Sequence, residues 1–269
     1  MYTGCVLIHV IADFGAADLA FAEVSQRLRF LIPESEVQCV SVPPFATLAA
    51  GFASAQLALA PAPRDMVVFH NVAPRRDDRA GRPDNAGEKL ACLTLESGVR
   101  VIGANAGYTF SFLKEHGRDF REVLADNAGT QFRSRDNYPP AIARLLAGDD
   151  AILGEPLPAG AVPDVPESQV AYVDGFGNIK TTLTAGTGFG PGTRLEVTIG
   201  GVSRQATVAG AGFALPEGEL ALSVGSSGWT RPDGSELRFR ELFLRGGSAW
   251  EAFGRPAPSS EITLTETSN

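Results

Sequence analysis

The chain is poor in the residues from which metal sites and disulfide frameworks are built. It has three cysteines, Cys5, Cys39 and Cys92, and three histidines, His9, His70 and His116. The cysteines are far apart, odd in number and without CxxC spacing. Neither a disulfide scaffold nor a thiolate zinc site is expected, and a reduced cytoplasmic setting is. The histidines are equally dispersed, so no His-based metal motif stands out. Lysine is scarce too. The basic residues are almost all arginine and are scattered, and the net charge is -8. That argues against a general nucleic-acid surface, because phosphate neutralisation needs basic patches. No apolar run approaches the ~20 residues of a membrane span. The N-terminus, MYTGCVLIHVIADFG, has no basic n-region and no small-residue cleavage site, so it reads as a strand rather than a signal peptide.

What is present is an ordinary globular composition, 44% apolar and 20% charged over 269 residues, enough for one large domain or two modest ones. In the first half, strand-like runs alternate with helical ones. Val6–Ala12 is continuously apolar, as in a buried parallel strand. Ala17–Phe30 has helical spacing, Val37–Val42 is a short strand, and Phe45–Ala60 is Ala-rich and helical until Pro61. Met66–Phe69 is a third strand, Arg75–Gly87 a polar mobile loop, and Leu90–Leu95 with Val99–Ile102 a strand pair. Tyr108–His116 and Pro139–Leu146 read as helices. The expectation is an α/β N-terminal domain, residues 1–153, on a mostly parallel central sheet. Residues 154–168, GEPLPAGAVPDVPES, look like a linker. Residues 169–269 carry short strands with Gly turns and suggest a smaller all-β domain, a barrel or sandwich.

Ligands of open α/β sheets bind beyond the carboxyl ends of the strands. Asp13 follows the first strand there and suits a vicinal diol such as a ribose; it equally suits a turn before Gly. Asp18 is a candidate too, or a helix-end charge. Phe45 could stack on a ligand ring or act as a hydrophobic staple. The stretch VVFHNVAPRR contributes Phe69, His70, Asn71, Val72 and Arg76, and GANAGYTF contributes Asn105. Ser134 could bind an anion or water, or cap a helix. Ser226 and Ser227 leave the backbone open for contact, or belong to a hairpin turn. In YVDGFGNIKTT, residues 172–182, Asp174, Phe176 and Asn178 interrupt what would otherwise be a continuous strand.

Taken together these segments resemble the S-adenosylmethionine hydroxide adenosyltransferases and the S-adenosylmethionine-dependent fluorinases and chlorinases. The pattern T-D-F-G-x-x-D is similar to Ala12-Asp13-Phe14-Gly15-Ala16-Ala17-Asp18, and D-x-F-G-N-x-x-T-N to Asp174 through Thr182. The halogenase-type N-N-G…L-E-E-H-G resembles Asn105-Ala106-Gly107 through Leu113-Lys114-Glu115-His116-Gly117. Pro216-Glu217-Gly218-Glu219 and Arg245-Gly246-Gly247-Ser248-Ala249 match the C-terminal domain, and Arg75–Gly87 falls where fluorinases carry an extra loop.

The resemblance implies a homotrimer with sites between subunits, and S-adenosylmethionine as substrate with no further cofactor. Asp13 would hold the ribose hydroxyls and Phe45 would line the ribose pocket. Asp174 would hold the methionine ammonium, Ser226 the amino-acid end, and Asn178 and Phe213 the adenine. A nucleophile would attack the ribose C5′ and methionine would leave as a neutral thioether. The reaction needs a desolvated, aligned nucleophile, and water as nucleophile also needs a proton acceptor. The chain departs from the family here. Phe69 stands where hydroxide-using members have Asp and fluorinases Tyr, Val72 where fluorinases have Thr, and Arg133 where hydroxide-using members have His. Ser134 matches the fluorinases, Arg76 is the candidate for a downstream Arg, and His70 and Asn71 are additional polar groups. Lys180 and Thr182 depart as well. The alternatives are a scaffold reassigned to another nucleoside or small molecule, and a non-catalytic homologue.

Overall fold

The structure, a computed structural model, describes residues 5–63, 65–74, 88–126, 130–186 and 188–267. It divides into two compact units, Met1–Asp164 and Val165–Asn269. The Arg75–Gly87 loop, with Arg76, lies outside the described residues.

In the first unit β1 (Val6–Ala12) leads through α1 (Leu19–Leu31) to β2 (Ser35–Ser41), α2 (Thr47–Ala58) and β3 (Val67–Asn71). Then come β4 (Leu90–Leu95), β5 (Arg100–Ala104), β6 (Gly117–Val123), α3 (Arg133–Asp136), α4 (Tyr138–Leu146) and β7 (Leu153–Pro156). The strands form one sheet in the order β2-β1-β3-β5-β4-β6-β7. Helices connect β1 to β2 and β2 to β3, and such crossovers give parallel pairing. The Glu96–Gly98 turn between β4 and β5 is too short for a crossover. Leu95 accordingly donates its N–H to Val99, Gly98 takes φ +91, and the pair is antiparallel. β6 and β7 continue antiparallel beside β4. α1 starts where the Asp18 carboxylate accepts the Ala20 N–H and stops at Pro33. Val10, Phe69, Ile102, Leu28 and Ile142 share the core between the sheet and helices α1 and α4.

This corrects the expectation of an α/β domain on a mostly parallel sheet. The sheet is mixed, parallel only through β2, β1, β3 and β5. Across the described chain strand residues outnumber helical ones, so the fold is largely β. The helix expected over Tyr108–His116 is absent. That segment is a run of tight turns with N–H to C=O bonds three residues apart, as from Thr109 to Ala106 and Ser111 to Tyr108, ending in a 3₁₀ turn at Lys114–His116. Its apolar residues Phe110, Phe112 and Leu113 are all buried, so packing overrides helical spacing. Nor is 154–168 free of regular structure, since β7 extends into it.

The second unit contains β8 (Val170–Val173), β9 (Ile179–Thr184), β10 (Arg194–Ile199), β11 (Val202–Ala209), β12 (Leu220–Thr230), β13 (Glu236–Leu244), α5 (Ala249–Ala252) and β14 (Ile262–Glu266). The sheet order is β14-β10-β11-β12-β13-β9-β8. Gln169 and Glu261 bridge its two ends, and Val170 N–H to Ser260 and Ile262 N–H to Ser168 complete the closure into a barrel. Alternating residues of β10, Leu195, Val197 and Ile199, are fully buried inside it with Leu222, Leu242 and Val170.

Candidate functional site

Asp13 leaves β1 at the carboxyl edge of the first sheet. Its Oδ2 accepts the backbone N–H of Phe45 at 3.0 Å. Phe45 holds φ +64, a conformation rare for a residue with a side chain, and its ring is 45% exposed. A strained aromatic aimed outward beside a carboxylate is the kind of outlier that points to a site. The two loops are further tied by the Val42 N–H on Ala12 O at 3.0 Å and the Ser41 hydroxyl on Phe14 O at 2.5 Å. Phe45 lies before α2 rather than at its start. A turn from Pro43 to Ala46 precedes the helix, and the helix has no side-chain cap. Asp18 is exposed and caps α1.

The other residues of this edge separate. Strand alternation sends Phe69 into the α1–α4 core, where it meets Tyr138 edge-on at 6.3 Å. His70 faces the other side of the sheet, fully buried against Phe110 at 4.6 Å. Neither of its ring nitrogens has a hydrogen-bond partner among the described residues, and burial pushes its pKa down to about 3. Gly103 opposes His70 across β5, and any side chain there would lie 2.3 Å from the imidazole. Asn71 ends β3, paired with Ala12, so it adjoins Asp13 along the edge. Val72 is buried. The Asn105 amide donates to Ala161 O at 3.3 Å. Ser134 is buried inside α3 and does not cap it.

In the second unit the β8–β9 turn is built around Asp174. Its Oδ1 accepts the N–H groups of Phe176 and Asn178, both at 3.0 Å, and its Oδ2 accepts the Asn178 side-chain amide at 2.9 Å. The Lys180 ammonium lies 3.4 Å from Oδ2 and also bonds Glu241. Burial alone would raise the Asp174 carboxyl, but the Asn178 bonds, the Lys180 charge and the Phe176 N–H outweigh it and hold it below its ordinary value. Asp174 and Asn178 are therefore turned toward each other. Gly177 takes φ +81 with Ser248 so close that a Cβ would lie 2.1 Å from its hydroxyl. Phe176 and Phe213 stand 85% and 75% exposed, Phe213 leaning on Phe243. Ser226 is exposed in the irregular stretch of β12 between Val224 and Gly228, where its carbonyl accepts from Arg238.

Sequence reading missed Glu241 and did not single out Lys180 as a site residue. Lys180 is the lone charge of its strand, IKTTLT, which was a signal; Glu241 is one of four charges in ELRFRELFL and carried none. Among the described residues no cluster of His, Cys, Asp and Glu could hold a metal ion, and no helix is long and apolar enough to cross a membrane.

No family model matches the chain, and no curated protein does. Solved structures do. An uncharacterized conserved protein from Thermotoga maritima superposes with TM-score 0.73 at 18% identity, over 96% of this chain and 100% of that one. A conserved hypothetical protein from Thermus thermophilus does so with TM-score 0.66 at 22% identity, over 97% and 100%. The chain is similar to both in fold.

Proposed function

We propose that this chain binds S-adenosylmethionine and displaces methionine from the ribose C5′, giving a 5′-substituted deoxyadenosine or adenosine. The observation that carries the reading is Asp13. Its carboxylate stands at the carboxyl edge of parallel strands, is oriented by one N–H from a strained Phe45, and keeps its other oxygen without a partner among the described residues. Such a group accepts from a ribose hydroxyl. Phe69 points into the α1–α4 core and Val72 is buried, so neither replaces a fluoride's hydration nor takes a proton from water, and the reading carries a halide or water as nucleophile. The working form is a homotrimer, which light scattering on the purified chain tests. The activity is tested by incubating the protein with S-adenosylmethionine in fluoride, chloride, bromide, iodide and halide-free buffer, with products identified by mass spectrometry. A 5′-halogenated deoxyadenosine, or adenosine in the halide-free sample, supports it; unchanged substrate throughout refutes it.

A second reading, a scaffold reassigned to another nucleoside, is favoured by one observation. Asp174 is already paired with the protein's own Lys180. Adenosine bound by a chain that leaves S-adenosylmethionine intact is its expected result.

A further inference from the structure

In the second unit β10 and β11 form a hairpin closed by Gly200 and Gly201, both at positive φ, +58 and +81. Ile199 and Val202 flank this two-residue turn as a pair and are bonded through their backbones. Bonded and non-bonded pairs alternate from there. Val202, Arg204 and Ala206 thus turn their N–H and C=O groups to β10, and Ser203 and Gln205 turn theirs to the opposite edge. On that edge β12 pairs with β11 only over residues 207–209. Residues 202–206 therefore have no strand beside them there among the described residues. The Ser203 carbonyl accepts from the Arg204 guanidinium at 2.9 Å. The Ser203 N–H and both backbone groups of Gln205 have no partner among the described residues. Ser203, Arg204 and Gln205 are all exposed.

A cavity of about 440 Å³ borders this edge at Arg204, Gln205 and Ala206. Leu220, Leu244 and Ala252 give it apolar surface, and Ala206 packs in one cluster with Leu220 and Leu244. Arg194 and Glu219 border it as well, and neither is ion-paired among the described residues. Elsewhere Arg100, Arg121, Arg135, Arg144 and Arg255 each hold an acid. Two guanidiniums against one carboxylate make this rim positive in a chain of net charge -8. A small anion would engage the arginines and leave the backbone of Ser203 and Gln205 unused. An extended peptide engages both, since its backbone matches an open strand edge and its carboxylate matches a guanidinium. Residues two apart on a strand face the same way. Arg204 and Ala206 are two apart, so the matching peptide sets an acid two positions from an apolar residue.

We propose that the open edge of β11 takes an extended, acidic segment of a partner protein as an added strand, its acid on Arg204 and its apolar residue against Ala206, Leu220 and Leu244. A second copy of this chain fits less well. β2, the long border of the first sheet, sets Gln38 rather than an apolar residue two positions from Glu36. The surface lies within the second unit alone and does not involve Asp13.

The test is titration of the isotope-labelled full chain with the capped peptide Thr-Glu-Thr-Val-Thr, followed through its backbone amide resonances. The Ser203 and Gln205 amides should shift most and exchange more slowly with solvent. The same peptide with Lys in place of Glu should bind about tenfold more weakly, the size of one charge-assisted bond. No saturable binding, binding that leaves those two amides unmoved, or equal affinity for both peptides overturns the proposal. Gln205→Pro, checked for folding by circular dichroism, supplies a second arm. It removes an N–H that faces away from β10, so the hairpin keeps its bonds, and peptide binding should be lost; unchanged binding by the folded variant counts against the proposal. An oligomer in light scattering that Gln205→Pro dissociates assigns the edge to a second copy and overturns the partner reading. The comparison of the two peptides needs no variant, so a misfolded Gln205→Pro chain leaves it intact.

Discussion

Asp13 and Asp174 both follow a strand and both sit in a turn, yet they are used differently. Asp13 is held by one backbone N–H and keeps an oxygen without a partner among the described residues. Asp174 has four donors and is part of the turn's own scaffold. Among the described residues both units leave buried polar groups unmet, the imidazole of His70 in the first and the Ser223 hydroxyl in the second, so the contrast belongs to the two acids. An acid next to glycine and phenylalanine is therefore not a binding group by virtue of its motif; what matters is how many of its lone pairs the fold has already filled.

The largest expected effect concerns acid. His70 is buried uncharged, its value lowered from 6.5 to about 3. Between those values the unfolded chain binds a proton that the folded one does not, so stability is full above 6.5 and falls as pH drops through that window. The slope is at most about 1.4 kcal/mol per pH unit. His70→Leu should flatten urea-unfolding stability between pH 6 and 4, only partly because His9 is also lowered by burial. Asp174 works in the same direction lower down. Its value is depressed, so its contribution is present above the ordinary carboxylate range and is lost as pH falls below it. Hydrogen exchange during acid titration should show the first unit opening at the higher pH, and simultaneous opening would break the contrast.

Next in size, Asp174→Ala takes the acceptor from the buried Lys180 ammonium and the half-buried Asn178 donors and should cost about 3 kcal/mol of stability in urea, at 1–3 kcal/mol for each group left unmet, while nucleoside affinity changes little. Asp13→Ala should do the reverse, weakening adenosine binding by roughly 30-fold, about 2 kcal/mol for a charge-assisted bond, with a nearly unchanged urea midpoint. If the two variants behave alike, the distinction between a ligand-holding and a scaffold acid fails. The smallest effect is at Phe45. Both Phe45→Gly and Phe45→Ala delete the ring, but only glycine takes φ +64 without strain, so the glycine variant should be the more stable by about 1 kcal/mol.

Much of this was legible beforehand. β1, β4 and α4 lie where apolar runs and proline placed them, because their patterns are long and buried on consistent faces. β6 was not legible. GRDFREV alternates weakly, and only pairing with β4 makes it a strand. Its direction, like that of β7, decides between a parallel and a mixed sheet, and direction is a long-range property that no local pattern carries. At the candidate site, the turn chemistry of Asp13 and Asp174 was visible as residue types. The partners were not, since Phe45 is 32 residues from Asp13 and Glu241 is 61 from Lys180. The opposite facing of Phe69 and His70 does follow from strand alternation once the strand is known to run on to Asn71.

The barrel of the second unit has a further consequence, for behaviour at high concentration. A sheet joined to itself presents a shorter row of unpaired backbone groups on which another chain could template. The first sheet, by contrast, ends in two border strands, β2 and β7. β7 is four residues long and ends in Pro156, which blunts it. β2, with Glu36 and the exposed Cys39 along it, is the long border at which copies of this chain could stack or crosslink under oxidising conditions.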